Sequence, residues 1–404
     1  MRTLALLALL AGCTAQSVPG VWRAQPFITT FWCAPPLAAL DDARLEQIAT
    51  AGFTTIGAPC EGELTVASNR RALAGAARHN LRVWVADHRL YAAAAGDPNA
   101  TAQIADVVAD FRDAPALDGY VVADEPPTPA FAPVAATVIA LRTADPARLA
   151  YVNLLPNYIP PALLGAASYD DYLHRSVADL QPQLLSVDYY PFGTKKDRST
   201  FFDNLDAVRD ASLRYDLPFL WIVLAMPHGP YRDPSEAELA WQVFHALAYG
   251  ARGVSYFTYW TPHDPTGRWQ QHNGIIENGQ PTEHYAQVTR VNQVARAIGN
   301  ALDGWRSIAV ADSTGEIGAP FPIGPIEAID GGRFSVGLFA NATGGLAALL
   351  VNRDYGEPAV AALRLRDGAA PPEAFDAGDA HWRRDGGIAF PLAPGAAQLL
   401  RWPG

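Results

Sequence analysis

The sequence of 404 residues has few charged residues, few sulfur-containing residues and no excess of basic residues. Charged residues make up 18% of the chain, and 30 Lys and Arg stand against 41 Asp and Glu, for a formal net charge of −11. Nucleic acids and anionic membranes select basic surfaces, so we expect no nucleic-acid partner. Hydrophobic residues make up 50% of the chain, which allows a large core and excludes extended disorder.

Motifs that bind metals, phosphates or acyl groups are also missing. The histidines at 88, 228, 263 and 272 match no HExxH spacing, and the first predicted strand carries no HxH pair. No glycine-rich phosphate loop and no nucleophile-elbow serine occur in a suitable context. We therefore expect neither a metal nor a cofactor, and the kinase and esterase classes are excluded.

The first 13 residues have the pattern of an export signal. A positive start is followed by an apolar run over 4–10 and then by Leu-Ala-Gly-Cys at 10–13. This tetrapeptide resembles the lipobox of bacterial lipoproteins, which implies diacylation of Cys13, and Thr14 in place of Asp implies the outer membrane. The alternative is an ordinary signal peptide with an incidental cysteine. No other run approaches the roughly 20 apolar residues of a membrane span, so attachment would be through the lipid only.

Cys33 and Cys60 are the other two cysteines of the chain. Export would place them in an oxidising compartment, where a pair of cysteines is more often bridged than free. They follow the first and second predicted strands, which are neighbours in a barrel. We therefore predict a disulfide between them.

Eight short β-branched or aromatic runs alternate with helical patterns up to residue 303, as in βα units around a parallel sheet. The predicted strands are Phe27–Trp32, Thr54–Ala58, Arg82–Ala86, Gly119–Ala123, Ala150–Leu154, Leu184–Asp188, Phe219–Leu224 and Gly253–Trp260. A doubly wound sheet usually has fewer strands, so we predict an α/β fold, a (β/α)8 TIM barrel over residues 14–303. Ser235 and Glu238 predict a capping box at the start of the seventh helix.

The pattern changes after residue 303. Strand-like runs are separated by Gly-, Asp- and Pro-rich turns, and the segment 388–402 has the pattern of a last hairpin. We predict a small C-terminal β-sandwich over residues 304–404. It either packs on the barrel and stabilises it or acts as an independent sugar-binding module.

In a barrel of this kind the chemistry lies at the carboxyl ends of the strands, and here those ends are polar and aromatic. Strand four ends in Asp124-Glu125-Pro126, and strand eight ends in Tyr259-Trp260. Both resemble the corresponding strand ends of glycoside hydrolase clan A. In that clan the strand-four Glu is the general acid and base, and the polar residue before it binds the sugar 2-hydroxyl. A Trp at the end of strand eight packs under the sugar in its subsite. The resemblance implies that Glu125 is the proton donor. The alternative is a structural carboxylate that caps a loop or pairs with Arg89.

The resemblance does not supply a nucleophile, because clan A places a Glu at the end of strand seven and this strand has no carboxylate before Asp233. We take Asp188, at the end of strand six, as the second catalytic carboxylate. The alternative is a buried Asp that holds Tyr190 or a backbone amide. The further candidates are Asp87, Asp124 and Glu61, in that order. A spacing of roughly 5 Å to Glu125 would imply retention, and roughly 6.5–9.5 Å inversion.

The sugar-positioning shell is predicted from the remaining strand ends. It comprises Asp124, Trp260, Tyr190, Trp32, Asn153, His228, Asp87 and Arg89. Arg89 and Arg232 would suit the carboxylate of an acidic sugar, and the alternative for each is a salt bridge to Asp87 or Asp233.

The sequence as a whole predicts an envelope-bound glycoside hydrolase with a poly- or oligosaccharide substrate. The alternative function is a lipoprotein that keeps the barrel and binds carbohydrate without cleaving it.

Overall fold

The computed structural model describes residues 24–384 and 386–403. The lipobox and Cys13 lie outside these residues. Within them, no helix has an apolar stretch long enough to cross a bilayer.

The first part of the chain alternates strands and helices, and each of the eight predicted strands is present within a few residues. The strands are β1 (Ile28–Phe31), β2 (Thr55–Ile56), β3 (Arg82–Val85), β4 (Leu117–Asp124), β5 (Leu149–Asn153), β6 (Leu185–Tyr189), β7 (Phe219–Leu224) and β8 (Gly253–Phe257). The helices are α1 (Asp42–Thr50), α2 (Val66–Arg78), α3 (His88–Ala94), α4 (Ala100–Phe111), α5 (Phe131–Ala144), α6 (Pro161–Leu164), α7 (Tyr169–Leu180), α8 (Phe201–Tyr215), α9 (Glu236–Ala248) and α10 (Glu283–Ala301). The two-residue strands β9 (Ile276–Glu277) and β10 (Gln280–Pro281) pair just before α10.

The eight parallel strands form a TIM-barrel-like arrangement, although their ladders do not close into one sheet. They form two four-stranded sheets, in the orders β1-β8-β7-β6 and β2-β3-β4-β5. Single parallel bridges, Ala34–Pro59 and Leu154–Val187, join the sheets at the two seams. At the first seam β2 is only two residues long, and a Cβ on the following Gly57 would lie 2.0 Å from the Phe31 carbonyl oxygen. A side chain at position 57 would therefore clash with the backbone at the end of β1.

Local interactions fix the positions of several of these elements. Ser235 and Glu238 form the predicted capping box of α9, in which the Ser235 N–H donates to Glu238 Oε2 at 2.8 Å. Cys33 and Cys60, which follow β1 and β2, are joined by a disulfide with a Cα–Cα distance of 4.5 Å. The disulfide therefore lies beside the short ladder at the first seam.

The C-terminal part is built from antiparallel strands. They are β11 (Arg306–Asp312), β12 (Ile326–Asp330), β13 (Phe334–Ala340), β14 (Leu346–Asn352), β15 (Ala359–Leu365), β16 (Glu373–Asp376), β17 (His381–Arg383), β18 (Ala389–Leu392) and β19 (Ala397–Trp402). One sheet has the order β11-β13-β14-β19-β16-β17, and a smaller one has the order β12-β15-β18. An apolar core between the two sheets makes this part a sandwich.

The predicted last hairpin is wrong. β18 pairs with β15 in the smaller sheet, whereas β19 pairs with β14 in the larger one. The chain crosses between the sheets at 393–396, and this turn packs so tightly on α9 that a Cβ on Gly395 would lie 2.3 Å from the Ala237 carbonyl oxygen. Phe390 and Leu392 of β18 face the core from the smaller sheet. The chain therefore has to cross between the sheets before β19 pairs in the larger one.

The larger sheet of the sandwich packs directly on the barrel. Along β14, Leu349 and Val351 belong to the core shared with the barrel, while Leu350 belongs to the core of the sandwich. On β13, a Cβ on Gly337 would lie 1.9 Å from the carbonyl oxygen of Ala248 at the end of α9. Glycine is therefore required for this contact, and the sandwich is a packed part of the molecule.

Candidate active site

A cavity of about 280 Å³ opens at the carboxyl ends of the strands. Seven of the predicted positions line it, and the other lining residues come mainly from loops. The predicted ones are Trp32, Asp124, Glu125, Asn153, Asp188, Tyr190 and His228, the last from the loop after β7. Tyr158, Ile159, Ile222, Tyr231, Phe257, Trp269 and Gln271 complete the wall.

Glu125 directly follows β4 and is held in an unusual backbone conformation. Its φ of +50° lies in the left-handed region, which non-glycine residues rarely adopt. The Glu125 N–H donates to the Asn153 carbonyl oxygen at 2.9 Å, and Tyr172 donates its hydroxyl hydrogen to the Pro126 carbonyl oxygen at 3.0 Å. These bonds fix the backbone on both sides of the glutamate and direct its half-buried side chain into the cavity.

The carboxyl groups of Glu125 and Asp188 line the same cavity and interact with each other electrostatically. Asp188 is only 3% exposed, and burial together with the charge of Glu125 raises its pKa well above the usual value. Burial also raises the pKa of Glu125, while the hydrogen bond from Asp188 acts in the opposite direction. The pair therefore retains protons at a pH at which isolated carboxyl groups are ionised.

Asn153 connects this pair to Asp124. Its amide nitrogen donates to Asp124 Oδ1 and to Asp188 Oδ1, each at 3.1 Å. Its amide oxygen accepts a hydrogen bond from the Ser186 hydroxyl at 3.1 Å, which in turn contacts the Tyr151 hydroxyl at 2.8 Å. The amide is thus held in one orientation, with both of its hydrogens on carboxylates.

Asp124 is the third carboxylate on this side of the cavity. It keeps access to solvent, yet displacement of water by the cavity walls, and secondarily the charge of Glu125, raises its pKa to about 6. The hydrogen bond from Asn153 opposes this rise. Three carboxyl groups therefore lie together at the ends of β4 and β6 and compete for protons.

A second part of the wall is aromatic. The ring of Tyr190 lies edge-on to His228, Tyr231 and, less steeply, Phe257, at centroid distances of 5.3 to 5.5 Å. His228 Nδ1 lies 3.0 Å from the Met226 carbonyl oxygen, which fixes Nδ1 as the protonated nitrogen. Burial lowers the pKa of His228, so the ring is neutral and Nε2 is an acceptor. No carboxylate from β7 or its following loop lines the cavity among the described residues.

Two residues predicted to bind substrate, Asp87 and Arg89, pair with each other instead of lining the cavity. Asp87 Oδ1 accepts from the Arg89 N–H at 2.9 Å at the start of α3, and Asp87 Oδ2 lies 2.8 Å from the guanidinium of Arg89. Arg89 also pairs with Asp110 at 2.9 Å. Helix α3 begins directly after β3, so the aspartate turns back to cap it. Arg232 similarly pairs with Asp197 and with Glu238.

Trp260 also lies outside the cavity wall. Its indole N–H donates to Glu61 Oε1 at 3.1 Å, and the guanidinium of Arg44 lies 5.3 Å from its ring. The strand-eight ring that lines the cavity is Phe257, three residues earlier, where β8 ends. The sequence would indicate Phe257 only if strand eight were predicted to end at this residue.

The described residues contain no group of three or more His, Cys, Asp or Glu side chains that is arranged to hold a metal ion. The site is therefore defined by carboxyl groups, a neutral imidazole and aromatic rings. Proton transfer to or from a bound molecule is the chemistry that this set supports.

The architecture of the chain is similar to that of solved glycoside hydrolases. No protein-family model and no curated protein sequence matches the chain. Among solved structures, the chain is similar to a catalytic mutant of a family 42 β-galactosidase from G. stearothermophilus (TM-score 0.61, 9% identity, 94% of this chain and 99% of that chain). It is also similar to a family 5 glycoside hydrolase from Bacteroides vulgatus (TM-score 0.59, 12% identity, 95% of this chain and 91% of that chain).

A β-galactosidase from the psychrophilic Marinomonas ef1 is similar as well, with a TM-score of 0.52 and 12% identity. That match covers 68% of this chain and 60% of that chain, so the chain spans only part of the larger enzyme. These likenesses establish the fold that the chain shares with glycoside hydrolases.

Proposed function

We propose that the protein is a glycoside hydrolase that cleaves O-glycosidic bonds of oligo- or polysaccharides, with Glu125 as the general acid and base. The observation that carries the proposal is that Glu125 and Asp188 line the same cavity and that their carboxyl groups interact there. Burial raises the pKa of both groups, and a proton donor must be protonated at the working pH.

The interaction also defines a role for Asp188. Glu125 donates its proton to the glycosidic oxygen, and the carboxylate that remains on Glu125 accepts a hydrogen bond from the Asp188 hydroxyl. This bond lowers the pKa of Glu125 and so strengthens it as an acid. Asp188 is only 3% exposed, which leaves little of its carboxyl group open to a substrate or to a water molecule. We therefore assign Asp188 to the control of Glu125.

The neighbouring residues position the sugar. Asp124 and Asn153 present polar atoms beside Glu125, while Trp32 and Phe257 provide ring faces for the C–H groups of a sugar. The aromatic part of the wall offers His228 Nε2 as an acceptor. The group that completes the reaction on that side is a water molecule or a part of the substrate.

Replacement of Glu125 by Gln tests the assignment. We expect turnover of a cleaved glycoside to fall about 10²- to 10⁴-fold, the usual contribution of general acid catalysis, while binding is retained. Substrates come from a screen of reducing-end release with plant, algal and microbial polysaccharides. Glu63→Gln is the control, because Glu63 is exposed and outside the cavity. Equal turnover in wild type and Glu125→Gln would refute the role.

The second candidate function is carbohydrate binding without cleavage. It is favoured by one observation, the clustering of all three cavity carboxylates on the β4 and β6 side with none from β7. A calorimetric titration with the same polysaccharide fragments separates the two functions. Tight binding with no release of reducing ends from any of them would support the binding protein.

We also propose that the protein is a lipoprotein of the cell envelope, attached to the outer membrane through Cys13. The support is the Leu-Ala-Gly-Cys sequence at 10–13 after an apolar run. Labelling with a radioactive fatty acid in a bacterial host tests it, and the Cys13→Ser variant should lose the label and the membrane association. Label that persists in the variant would contradict lipidation at this residue.

A further inference from the structure

A second cavity, of about 740 Å³, lies between the barrel-like part and the sandwich. It is lined by the loop from β6 to α8, by α8 and α9, and by the turns β12–β13 and β14–β15 of the sandwich. Its volume is more than twice the 280 Å³ of the catalytic cavity. We call it the interdomain cavity.

The floor of the interdomain cavity is aromatic. Phe201 and Trp241 lie 4.5 Å apart between ring centroids, and Phe192 lies 5.3 Å from Tyr355. Phe202 completes this floor and carries the guanidinium of Arg353 over its ring. Phe192, Phe201 and Trp241 are only 1%, 2% and 6% exposed and support the floor from below, whereas Phe202 and Tyr355 are partly exposed and can pack against the C–H groups of a sugar.

The rim carries polar groups of both signs that have no partner. The side chains of Arg333 and Glu357 are exposed, and neither has a hydrogen bond or ion pair with another described residue. Arg353, by contrast, is paired with Asp312, and Asp354 accepts hydrogen bonds from two backbone N–H groups. Because a hydroxyl group both donates and accepts, a ligand rich in hydroxyls satisfies both rim residues.

Arg198 forms a wall common to the two cavities. It lines the interdomain cavity, is half-buried and has no carboxylate partner among the described residues. Its guanidinium carbon lies 3.9 Å from the centroid of the Tyr158 ring, and its Nη2 donates to the Tyr231 hydroxyl at 3.1 Å. Both tyrosines line the catalytic cavity. A ligand that extends past these tyrosines therefore meets Arg198.

The interdomain cavity is also held open by a fixed contact between its two sides. The Tyr355 hydroxyl, from the sandwich, donates to Asp197 Oδ2 at 2.7 Å in the loop between β6 and α8. Asp197 is held in turn by Arg232 at 3.2 Å. The cavity is therefore already formed before a ligand arrives, which lowers the entropic cost of binding.

We propose that the interdomain cavity binds the sugar units that follow the unit held in the catalytic cavity, so that the sandwich takes part in substrate recognition. This inference rests on the proposed carbohydrate specificity and does not require hydrolysis. At about 280 Å³ the catalytic cavity is smaller than the roughly 300–1,000 Å³ of typical ligand pockets, so a longer glycan needs a second binding surface.

Binding to an array of plant, algal and microbial oligosaccharides, graded from one to six sugar units, tests the proposal. The proteins are Glu125→Gln alone and Glu125→Gln combined with Arg333→Ala, with Glu357→Ala or with Arg366→Ala. Arg366 is the matched control, because it is an exposed arginine of the sandwich that does not line the cavity. Melting temperatures establish that all four proteins are folded.

We expect binding to increase with chain length. Arg333→Ala and Glu357→Ala should weaken the binding of the longer glycans about tenfold, as for one lost hydrogen bond to a charged group, and leave single units unchanged. Affinity that is independent of length, or equal effects of Arg333→Ala and Arg366→Ala, would overturn the proposal.

The outcomes also separate this proposal from the proposed hydrolysis. Length-dependent binding without release of reducing ends by wild type would leave the interdomain site standing and refute the hydrolase. Cleavage of short aryl glycosides, together with glycan affinities that do not depend on chain length, would support the hydrolase and refute the interdomain site. An array on which the protein binds no glycan contradicts both.

Discussion

The carboxyl groups of Glu125 and Asp188 line one cavity and interact with each other; Glu125 directly follows β4, and Asp188 is the penultimate residue of β6. Strand β5 lies between the two, and its last residue, Asn153, donates to Asp188 from the other side. Two interacting acids within a buried site hold their protons more tightly than isolated acids. The predictions below follow from this arrangement and from the disulfide.

The first prediction concerns activity and pH. Glycosidic cleavage requires a protonated Glu125, so kcat/KM should fall as the pH rises through the pKa of Glu125. Asp188→Leu removes the interaction that lowers this pKa. The alkaline limb of the pH profile, which is the fall of kcat/KM at high pH, should therefore move to higher pH. The maximal rate should fall. Asp188→Asn keeps an N–H donor and should retain more activity than Asp188→Leu. Identical pH profiles for the two variants would contradict the assignment.

The second prediction concerns stability and pH. An aspartate in the unfolded chain ionises near pH 4, whereas burial raises the pKa of Asp188 in the folded protein. The folded state therefore binds more protons above pH 4, and this group's contribution to stability is lost as the pH rises toward the folded pKa. Asparagine does not titrate, so the melting temperature of Asp188→Asn relative to wild type should rise between pH 5 and pH 8.

The control for that experiment is Asp106→Asn. Asp106 is an exposed residue of α4, so its variant should follow wild type at every pH. A difference between Asp188→Asn and wild type that is the same at pH 5 and pH 8 would mean that Asp188 ionises normally in the folded protein.

The third prediction concerns Asn153. Its hydrogen bonds lower the pKa of both Asp124 and Asp188, so Asn153→Ala should raise both values, which NMR titration of the side-chain carboxyl groups measures. Removal of a buried donor should also cost about 1–3 kcal/mol in the free energy of unfolding, measured with urea at pH 7. Asn157→Ala is the comparison, because Asn157 lies on the same side but does not line the cavity. A lower pKa of Asp124 or of Asp188 in Asn153→Ala would contradict the network.

The fourth prediction concerns Cys33 and Cys60. The disulfide closes a loop with a sequence separation of 27 residues, and a loop of this length stabilises the fold by about 3–4 kcal/mol through the entropy of the unfolded chain. Urea unfolding with and without a reducing agent measures this value. The double variant Cys33→Ser with Cys60→Ser should match the reduced protein and be insensitive to reductant. Equal stability of the reduced and oxidised protein would show that the bridge does not contribute.

The strands and the central carboxyl groups could be predicted from the sequence because both depend on local patterns. Glu125 and Asp188 stand at the ends of buried strands, and the ends of parallel strands converge at one edge. Asp87 has the same kind of position, yet the first N–H groups of α3 follow it immediately, so its carboxylate caps the helix. Whether a strand-end aspartate faces the cavity or the next helix is decided by where that helix begins.

Other parts of the site could not be predicted, because they depend on contacts between distant loops. Trp269 reaches the cavity wall from the segment after β8, where its carbonyl oxygen accepts from the Gly229 N–H at 2.6 Å. Tyr231 enters from the loop after β7 and contacts Tyr158 and Arg198. No sequence period marks such loop residues. The crossing between β18 and β19 likewise depends on packing against α9. The sequence therefore predicts a hairpin, whereas the two successive strands belong to different sheets.

The shared sheet of the sandwich limits how the protein can be engineered. Leu349 and Val351 of β14 and Leu399 of β19 are buried in the core formed with the barrel-like part. A sandwich excised for fusion to another protein would expose these side chains to water and would tend to aggregate. Protein engineers who need the sandwich alone therefore have to carry both parts together or redesign that face with polar residues.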